Sequence, residues 1–595
     1  MNQSPPAAGQ GNISTNRRLF FWYAAVIFVI VVIIARLFYL QVIRHDYYQK
    51  AAMNDQLRQY SIAADRGLIE AHQGNSLVPI VLNEKLYTLY ADPTLVKNAP
   101  AAAAKLTSVT QANTSQYTEL MKTKKTRYVI LSKRLSEEQK QKITNLKLPG
   151  VGLQAQNYRT YPQGSLAAQL LGFVNNDGKG TYGLEQALNK ELAGRPGVLK
   201  AITDASGVPL AASRDNIRQN PVAGSDLVLT LNLAMQQELE NYLKKGVERA
   251  KSSSASALIM DPSSGAILAM ANWPSYDPGQ YYKVTDSSVF QNAAVSQPLE
   301  VGSIMKVLTA SAALDQGVIT PDTSYDDPGH WNIDGSVVKN VEEDGGPGRR
   351  NIAQVLNLSM NTGATWMLMQ MGGGQLNQQG RDRWHDYLVN HYNLGQLTGI
   401  EQGYEASGYV PNPDNGYGLN LTYANTAFGQ AMTATPLQMA AALSSVVNGG
   451  SYYQPHLLDS TITSDDKSTT YKAKVLHKNV VSPKVSQQVQ SLMEYVVQGH
   501  LQQGFNYLRF PSNYMVGGKT GTAEIANPAG GYYSDRFNGT YMGFVGGDTP
   551  QYVIAVRVSQ PHIGGYAGST AAQPLFADLA HMLINNFNVT PKSGS

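Results

Sequence analysis

Residues 257–271 read ALIMDPSSGAILAMA. Two apolar runs, Ala257–Met260 and Ala266–Ala271, flank the turn-forming Asp261-Pro-Ser-Ser-Gly265. Apolar runs of this length around such a turn predict an antiparallel hairpin. A second pair lies far away in the chain. Thr540-Tyr-Met-Gly-Phe-Val545 and Tyr552-Val-Ile-Ala-Val-Arg-Val558 also flank a turn. A helix is expected to follow at about 571–586. Between the two pairs lie helical stretches such as 303–316 and 436–447. Strands from both ends should therefore meet in one antiparallel sheet, with a helical region inserted between them. One α/β domain over 226–586 is expected.

The rest of the chain reads differently. With 595 residues, roughly two to four domains are expected. Residues 1–16 are rich in Asn, Gln, Ser, Pro and Gly and read as a disordered tail. Leu19 to Ile34 carries no charge, and the apolar character resumes after Arg36 to about Val42. That length can cross a bilayer as a helix. A cleaved signal peptide would be shorter and followed by small residues. Here Gln-Val-Ile-Arg-His follows, so an uncleaved anchor is expected. Arg17 and Arg18 precede the helix; Arg36, Arg44 and Lys50 follow it. The charge rule therefore leaves orientation open. Residues 43–225 mix strand-like runs (77–82, 128–131) with polar helical ones (137–146), and end in a helix at 180–194 stopped by Gly194.

Composition excludes several chemistries. A net charge of +4 gives no electrostatic case for nucleic acid. With no cysteine there is no disulfide, thiolate site or thiol nucleophile. The sequence contains no His-Glu-x-x-His and no Gly-x-Ser-x-Gly, and its ten histidines are scattered. No metal site and no cofactor is expected.

Three short motifs carry the chemistry: Ser303-Ile-Met-Lys306, Ser359-Met-Asn361 and Lys519-Thr-Gly-Thr522. Ser303 opens a helix whose apolar face holds Ile304, Val307, Leu308 and Leu314. Residues three apart share a helix side, so Lys306 can place its amine beside the Ser303 hydroxyl. A desolvated neutral lysine can accept a serine proton. The positive helix end favours an oxyanion there. Ser359 and Asn361 are expected at a helix junction. Residues 514–524, YMVGGKTGTAE, read as a strand, in which Gly521 permits close approach of another backbone. A peptide could add to it as an extra strand, with Lys519, Thr520 and Thr522 facing a carboxylate. A phosphate loop would need glycine at 513, which is Asn513. Each motif has a decoy: Ser464–Lys467, Ser14–Asn16 and Lys592–Gly594. Order and context must therefore decide.

In that order and context the motifs resemble the class B penicillin-binding proteins, the monofunctional peptidoglycan D,D-transpeptidases. Phe428–Ala440, continuing to Asn448-Gly-Gly450, looks like a more specific family signature. Gly399-Ile400, Glu405 and Gly408 resemble another. Arg66-Gly-Leu-Ile69 and Tyr182-Gly-Leu-Glu185 resemble markers of the family's pedestal, and Leu37–Val42 its anchor exit. The resemblance implies a penicillin-binding/serine β-lactamase-like α/β domain, an antiparallel sheet with helices on both faces plus a helical subdomain. It would stand on an elongated α+β pedestal with a single N-terminal transmembrane helix. The expected segments are a cytoplasmic disordered tail (1–18), the anchor (19–42), a dimerisation-type pedestal (43–225), the transpeptidase domain (226–586) and a disordered tail (587–595).

The resemblance also implies roles. Ser303 attacks the penultimate D-alanine of a stem peptide ending D-Ala-D-Ala, and Lys306 takes its proton. The backbone amides of Ser303 and Thr522 form the oxyanion hole. Ser359 relays a proton to the departing D-alanine, and Lys519 tunes it. Asn361 holds the peptide and orients Lys306. Thr520 and Thr522 bind the terminal carboxylate beside Gly521. β-Lactams would trap Ser303 as an ester. The chemistry would lie outside the cytoplasmic membrane, with the N-terminus inside. A polytopic membrane glycosyltransferase and proteins of the division or elongation complex are the implied partners. The layout leans towards the division (septal) type. The alternatives are an elongation-type enzyme, a β-lactam hydrolase, a D,D-carboxypeptidase and an idle scaffold. Two departures stand out. Val301-Gly302 replaces the usual Pro-Gly, and Ala71-His-Gln-Gly74 replaces the usual Asp-Arg-Asn-Gly of the pedestal.

Overall fold

A computed structural model describes residues 13–48, 57–123, 126–202, 217–340, 346–527 and 529–594. The chain divides into two compact units, one of residues 1–64 with 195–222, the other of 65–194 with 223–595.

In the first unit helix α1 runs Ile13–Phe38 and continues as one π-helical turn, Tyr39–Ile43. Leu19–Ile43 is long and apolar enough to cross a membrane, and none of it is buried within the protein. Among the described residues of the unit nothing buries its apolar side chains, as expected of a lipid-facing helix. Beyond it, the Arg44 guanidinium lies 5.8 Å from the Tyr39 ring and 5.2 Å from that of Tyr47. Of the expected N-terminal tail, residues 1–12 lie outside the described residues, and 13–16 are helical. A three-stranded antiparallel sheet (Leu57–Ile62, Gly197–Ile202, Ile217–Gln219) completes the unit.

In the second unit the pedestal region hangs on a long strand, Ser76–Ala91. Its first half pairs with Ile69–Gln73 and its second half with Val129–Leu135 and Val151–Thr160. The tight turn at Gly74 has φ 61°, which glycine adopts without strain. The departure at 71–74 therefore still forms the hairpin, with Ala71 buried. Helices 99–110, 114–121 and 137–145 bury Ala103, Leu106, Tyr117 and Ile143 against Leu89 and Leu131. The helix expected at 180–194 is instead two short helices, Gly183–Ala187 and Asn189–Ala193, separated at Leu188. Between them and the sheet the fully buried Glu185 joins two arginines. Its Oε2 lies 2.7 Å from Arg66 Nε and its Oε1 2.8 Å from Arg159 Nε. Strand Asp226–Asn232 pairs in parallel with Ile69–Gln73 and antiparallel with Leu458–Ile462. One sheet thus crosses the boundary drawn at 225/226.

Helix α2 (Leu233–Ala250) leads into a five-stranded sheet. Its strands are β1 (Ser254–Met260), β2 (Ile267–Trp273), β3 (Met515–Ala526), β4 (Tyr532–Gly546) and β5 (Pro550–Ser559), in spatial order β2-β1-β5-β4-β3. All neighbours are antiparallel, so both expected hairpins form and meet in one sheet. Alternation of side chains explains why both faces are apolar. Ala255, Ala257 and Ile259 pack with α2 and the C-terminal helix, while Leu258 and Met260 join the main core on the opposite face.

Four helices of the opposite face matter for the site: α3 (Met305–Asp315), α4 (Ile352–Asn357), α5 (Asn361–Met371) and α6 (Pro436–Val447). Every residue of α3 from Met305 to Leu314 is buried, not one face alone. Its Ala310, Ser311, Ala312 and Ala313 let neighbouring elements close in on all sides. Thr435 caps α6 in a reciprocal box with Gln438, and Pro436 starts it. Two further helices, α7 (Pro483–Gln502) and α8 (Gln573–Asn586), flank β3 and β4. Within 587–594, expected as part of a disordered tail, most residues are exposed but Val589 and Lys592 make contacts. Val589 is buried, and the Lys592 amide donates to the Asn513 carbonyl at 2.7 Å.

Candidate active site

Ser303 sits in a 3₁₀ turn, Gly302–Ile304, that feeds directly into α3. Lys306 follows on the same helix side, and its Nζ lies 2.9 Å from Ser303 Oγ. The same Nζ contacts the Ser359 carbonyl and lies 3.3 Å from Ser359 Oγ. From β3, Lys519 Nζ reaches Ser359 Oγ at 2.9 Å, the Thr520 carbonyl at 3.1 Å and Thr520 Oγ1 at 3.3 Å. One hydroxyl is thus shared by two fully buried lysines. Two ammonium ions so placed repel each other, and burial penalises both charges, which favours losing a proton from one of them.

Ser359 holds this position through a helix end. The amide of Ser359 bonds the Leu356 carbonyl at 3.2 Å, and that of Met360 bonds Val355 at 2.9 Å. This is the Schellman pattern, with Ser359 at the left-handed position, φ 58°. Glycine normally takes that place. A serine there costs about 1–2 kcal/mol and turns its hydroxyl between the lysines. Asn361 begins α5, and its Nδ2 donates to the Lys339 carbonyl at 3.1 Å.

Glycines allow the Ser303 turn and β3 to touch. Gly302 has φ 65°, and a Cβ there would lie 2.6 Å from the Thr522 carbonyl oxygen and 3.3 Å from its amide nitrogen. The Ser303 turn and the Thr522 amide therefore abut. Gly521 does let another backbone approach closely, that of the segment before Ser303. A Cβ on it would meet Thr540 Oγ1 at 2.3 Å and the Val301 carbonyl at 2.8 Å, so its neighbours are the protein's own. β3 is an edge strand of the sheet, the position that adding a peptide strand would require. Thr522 Oγ1 accepts the Gly568 amide at 3.0 Å. Val301 has φ −83°, close to the value a proline imposes, so its backbone follows the Pro-Gly form. The decoys lie elsewhere: Ser14–Asn16 in α1, Ser464–Lys467 in a tight turn between two strands, and Lys592–Gly594 at the C-terminal end.

Sequence reasoning missed several supports. Thr540 Oγ1 donates to the Val301 carbonyl at 3.0 Å. Glu300 Oε1 accepts the Ala431 amide and the Tyr532 hydroxyl, both at 2.9 Å, tying the signature loop and β4 to the Ser303 turn. Burial pushes the Glu300 carboxyl up. Its place just before Val301-Gly302-Ser303 was the only signal available.

Residues 255–581 match the family described as the penicillin-binding protein transpeptidase domain, which is more than half of the chain. The chain belongs to this family. Residues 61–229 match a second description, the penicillin-binding protein dimerisation domain. Penicillin-binding protein PbpB of Mycolicibacterium smegmatis is 33% identical over 449 residues, covering 74% of this chain and 67% of that protein. Peptidoglycan D,D-transpeptidase FtsI of Escherichia coli is 26% identical over 564 residues, covering 93% and 89%. A crystal structure of penicillin-binding protein 3 from Mycobacterium tuberculosis, complexed with aztreonam, superposes with a TM-score of 0.66 at 25% identity, covering 89% of this chain and 98% of that one. The chain is a class B penicillin-binding protein of the septal type, a D,D-transpeptidase of cell-wall synthesis.

Proposed function

We propose that this transpeptidase works through an acyl ester on Ser303, with roles for the surrounding residues as follows. Neutral Lys306 takes the Ser303 proton as Oγ attacks the carbonyl carbon of the penultimate D-alanine in a stem peptide ending D-Ala-D-Ala. The Ser303 and Thr522 amides hold the resulting oxyanion, helped by the N-terminus of α3. The Ser359 hydroxyl hands a proton to the leaving D-alanine nitrogen and is resupplied from the lysine pair. The acceptor stem's amine then attacks the ester carbonyl and loses a proton, and Ser303 Oγ regains one as the cross-link forms. Asn361 and β3 align the stem, Gly521 keeps β3 against the nucleophile turn, and Thr520 and Thr522 take the terminal carboxylate. The observation that carries this reading is the Ser359 hydroxyl within bonding distance of both Lys306 and Lys519, one step from Ser303.

The same proposal covers topology and domains. The anchor would run over 19–42 with a cytoplasmic N-terminal segment, placing the catalytic part where peptidoglycan is made. The pedestal would occupy 43–225 and the transpeptidase domain 226–586. A polytopic membrane glycosyltransferase and division-complex proteins would be met through anchor and pedestal. β-Lactams would acylate Ser303. Fluorescent penicillin tests the reading: covalent labelling of the wild type and none of Ser303→Ala is expected. Labelling of Ser303→Ala would refute the nucleophile assignment.

A further inference from the structure

Behind the lysine pair lies a histidine that the reaction does not use. His500 ends α7 and is buried between β3, α4 and α8. Its Nδ1 lies 2.7 Å from Gln573 Nε2, at the start of α8. The other end of that amide, Oε1, lies 3.1 Å from the Tyr507 hydroxyl, which is also 3.2 Å from the Ser569 carbonyl, and the amide nitrogen is placed toward the imidazole. An amide nitrogen only donates, so Nδ1 accepts and the ring proton sits on Nε2. The ring also faces the Asn357 backbone, two residues before Ser359, and the pull of that backbone raises its proton affinity. The preceding Gly499 permits this. A Cβ there would lie 2.1 Å from Asn357 Oδ1. Phe505 closes the remaining side, its ring 5.7 Å away.

We propose that His500 is a positioning residue of the transpeptidase centre: a neutral imidazole that clamps the Ser359 turn against Lys519 by bonding Asn357 and Gln573. The turn needs such support because Ser359 carries a left-handed backbone at no help from its own side-chain type. The surroundings keep the imidazole uncharged. Burial first, and the charge of Lys519 second, lower its proton affinity. The other titratable groups brought by neighbouring elements do not oppose this. Tyr507 reaches it only through Gln573. Helices α4 and α6 carry no titratable side chain. From α3, Asp315 is engaged by Tyr387 and the Ser482 amide, and Lys306 adds to the positive side. On α8, Asp578 pairs with Arg249 and His581 faces the Tyr507 carbonyl. On α7 itself, Glu494 pairs with Lys592.

This inference rests on the roles proposed above for Ser303, Ser359 and Lys519. The test measures the second-order acylation rate by fluorescent penicillin across pH, on the full-length protein in detergent, for wild type, Ser303→Ala, His500→Leu and His500→Gln. Glutamine can replace both hydrogen bonds, and leucine neither. His500→Leu is expected to acylate about tenfold more slowly. Its acid limb should also move to lower pH, because a loosened turn withdraws the acceptors that hold a proton on Lys306. His500→Gln should stay within about threefold of wild type. A wild-type rate and profile in folded His500→Leu would overturn the proposal. So would equal slowing of both variants with an unshifted profile, which marks general destabilisation. If His500→Leu does not fold, Gln573→Leu carries the same expectations. Labelling of Ser303→Ala would instead overturn the underlying reading.

Discussion

Ser359 Oγ accepts a hydrogen bond from Lys519 Nζ at 2.9 Å while its own backbone stands at φ 58°. The hydroxyl that bridges the lysines is thus held by a conformation that serine disfavours. The fold keeps it there through two helix-end hydrogen bonds and the buried Met360.

That strain is measurable. Ser359→Gly and Ser359→Ala both delete the hydroxyl, and only glycine relieves the backbone. Ser359→Gly should be more stable than Ser359→Ala by about 1–2 kcal/mol, read from urea midpoints. Both should acylate at least about a hundredfold more slowly than wild type. Equal stability of the two would remove the strain argument.

Gly302→Ala should harm both stability and rate. The new Cβ would meet Thr522 backbone at 2.6 Å, and the residue has positive φ. Ala at this site should cost about 2 kcal/mol or more, and the displaced turn should slow acylation by at least about tenfold. Unfolding and penicillin acylation on the same preparation check both.

Glu185 is the buried carboxylate that pairs with both Arg66 and Arg159 in the pedestal. Removing it strands two buried guanidinium groups. Glu185→Ala should lose about 3–5 kcal/mol. Glu185→Gln, which can keep one hydrogen bond, should lose less. Denaturant unfolding followed by pedestal tyrosine fluorescence would reveal it.

Stability should fall in acid through His500. Its imidazole is pushed down to about 4, by burial first and Lys519 second. An unfolded histidine titrates near 6.5. Between these values the unfolded chain binds a proton that the folded chain refuses, so stability is lost as pH falls from about 6.5 to about 4. The loss is on the order of 3 kcal/mol. His500→Gln should lack this component. Urea titrations of wild type and variant at pH 7 and pH 4.5 compare them.

Much of this was legible in the sequence because its cause is local. The Asp261–Gly265 turn and its apolar flanks encode the first hairpin, and the Thr435–Gln438 cap with Pro436 starts α6 at the expected residue. Ser303 and Lys306 meet because helix spacing requires it. What escaped depends on distant chain segments. Nothing around Gly521 tells that Val301 and Thr540 fill its free side. The break at Leu188 follows from packing of Leu184 and Leu192 into the core, against a continuous helical pattern. Lys592 finds partners in Asn513 and Glu494, and Val589 joins the core under α2 and α8, which no local pattern announces. His500 reads as one of ten scattered histidines until α4, α7 and α8 converge on it.

The central claim is that Ser303, activated by Lys306, forms the covalent bond. Peptide mapping by mass spectrometry after brief exposure to benzylpenicillin tests it most directly. The account predicts one adduct, on the peptide containing Ser303, absent from Ser303→Ala and strongly reduced in Lys306→Ala. An adduct on another residue, or undiminished acylation of Lys306→Ala, would contradict it.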